Sequence, residues 1–375
     1  MTQRNPLHKL AALGQSVWLD YIQRGFIASG ELQQLIEQDA VSGLTSNPAI
    51  FHKAMVEYVH YDEALTRLAR EGLAAHEIYE ALILEDIRRA ADVLAPVYAR
   101  THGRDGFVSL EVTPHLAHDA DGTYWEAKRL ATLVDRENLM IKVPGTIEGV
   151  QAIRRLAADG LNINVTLLFS VERYDAVADA YMQGLEERLA AGRPIDRIAS
   201  VASFFVSRID TLIDERLENI AHAHSAALRG ESAIAYARLA YRHFRRLTSR
   251  DRWLRLAERG AQLQRLLWAS TGTKNPAYSD VKYVDALIGP DTVTTLPVKT
   301  LIAYRDHGDP QLRLHAGEEE DAHAPEDVIR RLTELGIDSA AIAAELEMQG
   351  VRKFIEPLES TLAALRERIA DIRAA

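Results

Sequence analysis

Eight short β-rich apolar runs, set apart by longer amphipathic stretches, constrain the fold of this chain more than any other feature. They fall at residues 16–20 (SVWLD), 41–47 (VSGLTSN), 107–114 (FVSLEVTP), 139–146 (LMIKVPGT), 163–169 (INVTLLF), 198–205 (IASVASFF), 265–271 (RLLWAST) and 291–295 (DTVTT). Helical patterns such as 80–94, 148–158 and 171–191 lie between them. Strands alternating with helices predict βαβ units, hence a parallel sheet covered on both faces. For 375 residues, a single-domain α/β (β/α)8 TIM barrel is the first expectation and a doubly wound sheet the second. No G-x-G-x-x-G follows the first run, which counts against a dinucleotide-binding sheet. Two regions exceed a minimal barrel: an Arg-rich helical insertion over about 215–262, and a helical tail over about 311–375. The tail begins with an acidic spacer, Glu318-Glu319-Glu320-Asp321, expected to be an exposed linker.

Composition narrows the function. The formal net charge is −10, so the surface as a whole attracts neither nucleic acid nor anionic membrane, and an anionic substrate needs a local basic pocket. There is no cysteine, which removes disulfides, thiolate nucleophiles and cysteine-held metals. The first twenty residues lack the apolar core of a signal peptide, and no 18-residue apolar run is present, so a cytoplasmic protein without a membrane span is expected. His222 and His224 are two apart on a helical pattern and do not share a face; they are read as surface residues, and no metal site is expected.

Alternate side chains of a barrel strand point inward, and function gathers at the strands' C-terminal ends. In LMIKVPGT, Ile141 and Val143 face the helices, so Lys142 points into the barrel. Burial penalises a charged ammonium, which leaves two readings of Lys142: an ion-paired lysine at a strand end, or a neutral amine used as a nucleophile. The other strands add to it. Parity turns Glu111 inward beside outward Leu110 and Val112, and Asn164 and Thr166 inward beside outward Ile163 and Val165, while Asp20 and Asn47 end the first two strands. Five strands thus converge on one rim with an amine, acids, amides and a hydroxyl, a set suited to carbonyl chemistry on a polyol. Ser207-Arg208 and Gly272-Thr273-Lys274 lie in late βα loops, where barrels often hold phosphate, although by pattern alone an ordinary surface charge is the favoured reading of each.

These segments together resemble the transaldolase family. GLTSNPAIF at 43–51 is similar to its T-[ST]-N-P signature, and LMIKVPGTIEGVQAIRRL at 139–156 to the segment holding its Schiff-base lysine. SLEV, NINVTLLFS and SFFVSR follow in family order, and WASTGTKNPAYSD resembles the longer bacterial branch. The resemblance implies that Lys142 forms the imine with a ketose and that Asp20 moves the proton of the C4 hydroxyl. It also implies that Glu111 acts through a water positioned by Thr166, that Asn47, Asn164 and Ser203 bind hydroxyls, and that Arg208 binds phosphate. Sugar phosphates are then the substrates, no metal or organic cofactor is needed, and either a monomer or a homodimer fits the family.

The chain departs from the family at one point. Shorter members carry an arginine in A-S-F-R-N, whereas residues 269–275 read ASTGTKN, which makes Lys274 the substitute phosphate ligand and leaves the role of Ser270 open. The nearest rival, a fructose 6-phosphate aldolase, carries glutamine where this chain has Glu111 and tyrosine where it has Phe205. Both residues here favour the transferase. A non-catalytic barrel would have lost part of the inward polar set, and none of it is missing.

Overall fold

In the computed structural model, which describes residues 5–220, 225–314 and 324–374, all eight runs are strands and they close on themselves. They are β1 (Gln15–Asp20), β2 (Val41–Thr45), β3 (Val108–Glu111), β4 (Leu139–Pro144), β5 (Ile163–Leu168), β6 (Ser200–Phe205), β7 (Gln264–Ala269) and β8 (Thr292–Leu296). Every neighbouring pair is parallel, and β1 closes the ring by pairing with both β2 and β8. The fold is therefore a closed (β/α)8 barrel, and the doubly wound sheet is excluded. His222, His224 and the acidic run 318–321 lie outside the described residues.

β2 and β5 depart from the expected runs for local reasons. β2 stops at Thr45, two residues short of Asn47, because Asn47 leaves the sheet to cap the next helix. Its side-chain oxygen accepts from Ile50 N at 3.1 Å, and Pro48 takes the first helical position, where a missing N–H costs nothing. β5 carries a register shift between Val165 and Leu168, with Leu167 at φ +61°, a left-handed conformation that bulky residues rarely adopt. Bulges of this kind re-aim side chains beside active sites.

Inside the ring, Trp18 fills the middle. Gly43 on β2 makes the room: a Cβ there would stand 2.5 Å from the indole. Outside the ring, helices cover the apolar face of every strand and form one continuous core. Residues 311–314 are irregular, and the first described helix of the tail is Pro325–Glu334. Its last helix, Ser339–Ala374, packs against the helix Pro48–Glu57 and beneath it reaches β5. Gly350 permits that approach, since a Cβ would lie 2.7 Å from Leu167 Cδ2. Glu345 and Glu347 pin the helix to Arg216 and Arg173 at 2.6 and 3.5 Å. Among the described residues, no helix is long and apolar enough to cross a membrane.

Candidate active site

At the C-terminal end of the barrel lies a cavity of about 190 Å³, and the residues expected there are gathered around it. Asp20, Asn47, Lys142, Thr166, Ser203, Arg208 and Lys274 all line it, whereas Glu111 and Asn164 are not among its lining residues and touch it through Lys142 and Ser203. Lys142 is 5% exposed. Its Nζ donates to the carbonyl oxygen of Ser46 at 3.2 Å and stands 3.6 Å from Glu111 Oε2, an ion-pair distance too long for a hydrogen bond.

Glu111 is the least settled group of the barrel. Neither carboxylate oxygen finds a hydrogen-bond partner among the described residues, nor does Thr166 Oγ1. Burial pushes the Glu111 carboxyl up to about 7, with Lys142 and Arg208 pulling it down and Asp20 pushing it further up. Buried polar groups are normally paired, so an acid and a hydroxyl without protein partners are open to a hydrogen bond from a water or a ligand. A carboxyl poised near neutrality can both give and take a proton, which is what a general acid–base group requires.

The remaining polar groups are fixed from behind. Thr45 Oγ1 donates to Asp20 Oδ1 at 2.7 Å. Asn164 is fully buried; its amide donates to Ser109 Oγ at 3.0 Å and its oxygen accepts from Ser203 Oγ at 2.7 Å, so each end of the amide keeps one further hydrogen-bonding position. Asn47 spends its oxygen on the helix cap and keeps its NH₂ for the cavity, a division of labour the sequence reading did not draw.

The far end of the cavity is cationic. Arg208 follows β6, and its guanidinium lies 5.2 Å from the Phe205 ring, with Nη1 lacking a hydrogen-bond acceptor among the described residues. Burial holds Arg208 below its ordinary value against the pull of Glu111 and Asp20. Lys274 is lowered as well, first by burial and then by the Arg208 charge, so the two cations share one electrostatic neighbourhood. An anion entering between them relieves both repulsion and desolvation.

One wall was not legible in the sequence. Phe354, from the C-terminal helix, covers the mouth: its ring centroid is 5.5 Å from Lys142 Nζ and 5.8 Å from Arg208 Cζ. The tail's helical spacing signals that it packs somewhere, but nothing local says that it packs here. A second cavity, of about 220 Å³, lies behind β3 between apolar residues such as Phe51, Ile83, Leu130 and Leu358, and borders Glu111 from the side. Among the described residues no group of three or more His, Asp or Glu is arranged to hold a metal ion.

Comparison with known proteins decides the family. Residues 17–365 match the model described as transaldolase/fructose-6-phosphate aldolase. The chain belongs to this family. A protein of Trichodesmium erythraeum named transaldolase is 46% identical over 375 residues, covering 97% of this chain and 98% of its own. Proteins of the same name from Saccharopolyspora erythraea and Parafrankia sp. are 47% and 48% identical, each covering at least 97% of both chains.

Proposed function

We propose that the protein is a transaldolase that moves a three-carbon dihydroxyacetone unit between sugar phosphates. The donors are sedoheptulose 7-phosphate or fructose 6-phosphate, and the acceptors erythrose 4-phosphate or glyceraldehyde 3-phosphate. The observation that supports the reading is the buried Lys142 amine at the wall of a cavity whose other end is cationic, 3.6 Å from a carboxyl that burial pushes up to about 7.

The chemistry follows from those positions. Lys142 Nζ attacks the ketose carbonyl, and the carbinolamine loses its hydroxyl as water when Glu111, working through a water held by Thr166, supplies the proton. The resulting iminium draws electrons from the C3–C4 bond once Asp20 takes the proton from the C4 hydroxyl, so the aldose leaves and an enamine stays on the lysine. Attack of the enamine on an acceptor aldehyde, with Asp20 returning the proton, reverses the sequence. Asn47, Asn164 and Ser203 hold the hydroxyls of the retained unit; Arg208 and Lys274 hold the phosphate of donor and acceptor in turn.

Release of free dihydroxyacetone is the alternative outcome, and one assay separates the two. Glyceraldehyde 3-phosphate formation from fructose 6-phosphate is followed with and without erythrose 4-phosphate. Sustained formation only with the acceptor is expected; formation without it means a lyase. Lys142→Ala should show neither, and should trap no dihydroxyacetone on borohydride treatment.

A further inference from the structure

No described residue of the Arg-rich insertion lines the cavity, yet the insertion is bonded to both elements that carry the cationic end. Arg208 stands in the first turn of the helix Ser207–Glu218. One face of that helix presents Asp210 and Asp214, one turn apart and both buried. Each carboxylate is shared between the insertion and the segment that follows β7. Asp210 accepts from Ala233 N at 2.7 Å and from the Tyr283 hydroxyl at 2.8 Å. Asp214 accepts from Gly230 N at 2.9 Å and from the Tyr278 hydroxyl at 2.6 Å.

The N–H groups of Gly230 and Ala233 belong to the corner where the insertion's main helix, Ser232–Thr248, begins. That helix receives no side-chain cap from its own N-cap residue, so Asp210 satisfies one of its free N–H groups from another element. Gly230 has φ +75°, and a Cβ there would meet Lys282 Nζ at 2.4 Å and Tyr278 Cζ at 2.8 Å; only glycine fits between them. Lys282 in turn lies 4.2 Å from the Tyr278 ring and 3.8 Å from Glu231 Oε1. A shorter tie joins the two elements at the rim, where Ser207 Oγ and Ser270 Oγ are 2.8 Å apart and Ser207 N donates to Ser270 O at 3.2 Å.

We infer that the insertion's Gly230–Ala233 corner, through Asp210, Asp214 and Tyr278, is a positioning clamp that sets Arg208 and Lys274 at the spacing of one phosphate group. The inference rests on the proposed function only for the identity of the phosphate ester. The need for a clamp follows from the residues. Lys274 is a single point charge on a flexible stem within an irregular segment, and such a charge meets a phosphate at a fixed distance from Arg208 only if its backbone is held. Tyr278, four residues on, is where that segment is held. Asp214 makes the hold common to both cations, because its own helix bears Arg208.

Tyr278→Phe tests this, since it removes the hydroxyl and keeps the ring against Lys282. Three quantities are read: calorimetric binding of inorganic phosphate, KM for fructose 6-phosphate, and the rate of borohydride trapping with dihydroxyacetone, which carries no phosphate. The expected result is phosphate affinity and KM each worsened about fivefold to tenfold, with trapping within about twofold of wild type and the thermal midpoint little changed. Asp214→Asn, which keeps the shape and weakens both bonds, should act in the same direction. Unchanged phosphate binding in both variants overturns the clamp, as does an equal loss in dihydroxyacetone trapping, which means general loosening. If wild type traps no dihydroxyacetone, the Schiff-base reading fails, and phosphate binding to wild type and Tyr278→Phe still decides the clamp.

Discussion

At the N-terminal end of the barrel, Asp105 Oδ1 accepts from Arg265 at 3.0 Å and from Trp18 Nε1 at 2.9 Å, while its Oδ2 accepts from Ser16 at 2.7 Å. Arg265 gives two further donors to Ser16 Oγ and the Arg104 carbonyl, both at 2.7 Å. At the C-terminal end, Glu111 and Lys142 are as deeply buried, but the carboxylate has no protein hydrogen bond and the pair stands at 3.6 Å. One barrel therefore holds two buried acid–base pairs, one saturated with partners and one starved of them. The difference separates stability from chemistry. A satisfied pair gives nothing to a ligand, while an unsatisfied one is raised in energy until a substrate completes it.

The sharpest way to break that contrast is to remove one member of each pair. Lys142→Ala should lower turnover by at least about 10⁴-fold, with the thermal midpoint close to wild type, because Glu111 can take up a proton when its cation is gone. Asp105→Ala should do the opposite. It leaves the Arg265 charge buried without its acid, a loss on the order of 3–5 kcal/mol read from denaturant unfolding, while kcat measured well below the melting transition stays within about threefold. A large activity loss with intact folding in Asp105→Ala would make the lower pair part of the site.

Glu111→Gln sharpens the comparison through pH. The folded-state carboxyl titrates near 7, above the ordinary 4.5, so the fold favours its protonated form. Between those values the folded state holds more protons than the unfolded one, and wild-type stability falls as pH rises. The penalty is absent below about 4.5 and fully present above about 7, on the order of 3 kcal/mol if the whole shift is expressed. Glutamine has no such penalty. The variant's excess stability over wild type should thus grow from near zero at pH 4 to its maximum by pH 8, in parallel urea titrations, while imine formation slows about 10²-fold to 10³-fold. A gap that does not change with pH would mean that Glu111 is already paired.

Most of the upper pair's surroundings were legible in the sequence because strand parity is local. Once Ile141 and Val143 face the helices, Lys142 has one direction left, and the same holds for Glu111 and Thr166. Asn47 shows the limit of that logic, because its position follows from a helix cap rather than from a strand end. Neither the lower pair nor the cover could be read in this way. Asp105 sits in a loop ahead of β3, and its meeting with Arg265 on β7 spans the barrel interior. Phe354 reaches Lys142 only because Gly350, one turn earlier, lets the last helix lie against the bulge at Leu167. Such contacts depend on closure of the whole ring, which no window of sequence contains.

The cover supplies the smallest effect and the finest distinction between the two ends. Below, an indole edge donates a hydrogen bond to the acid of its pair; above, a benzene face lies over the base. A π face favours a cation beneath it, and in the proposed reaction the neutral amine that attacks the ketose becomes the cationic iminium that accepts electrons during C3–C4 cleavage. Phe354→Leu keeps an apolar cover and removes the quadrupole. With a cation–π contact worth about 0.5–1 kcal/mol, the steady-state fraction of enzyme trapped as imine should fall about twofold to fivefold. KM for fructose 6-phosphate should rise by a similar factor through the contact with Arg208. If trapping and KM are both unchanged, the ring serves only to exclude water, and the asymmetry between the two pairs lies wholly in their hydrogen bonds.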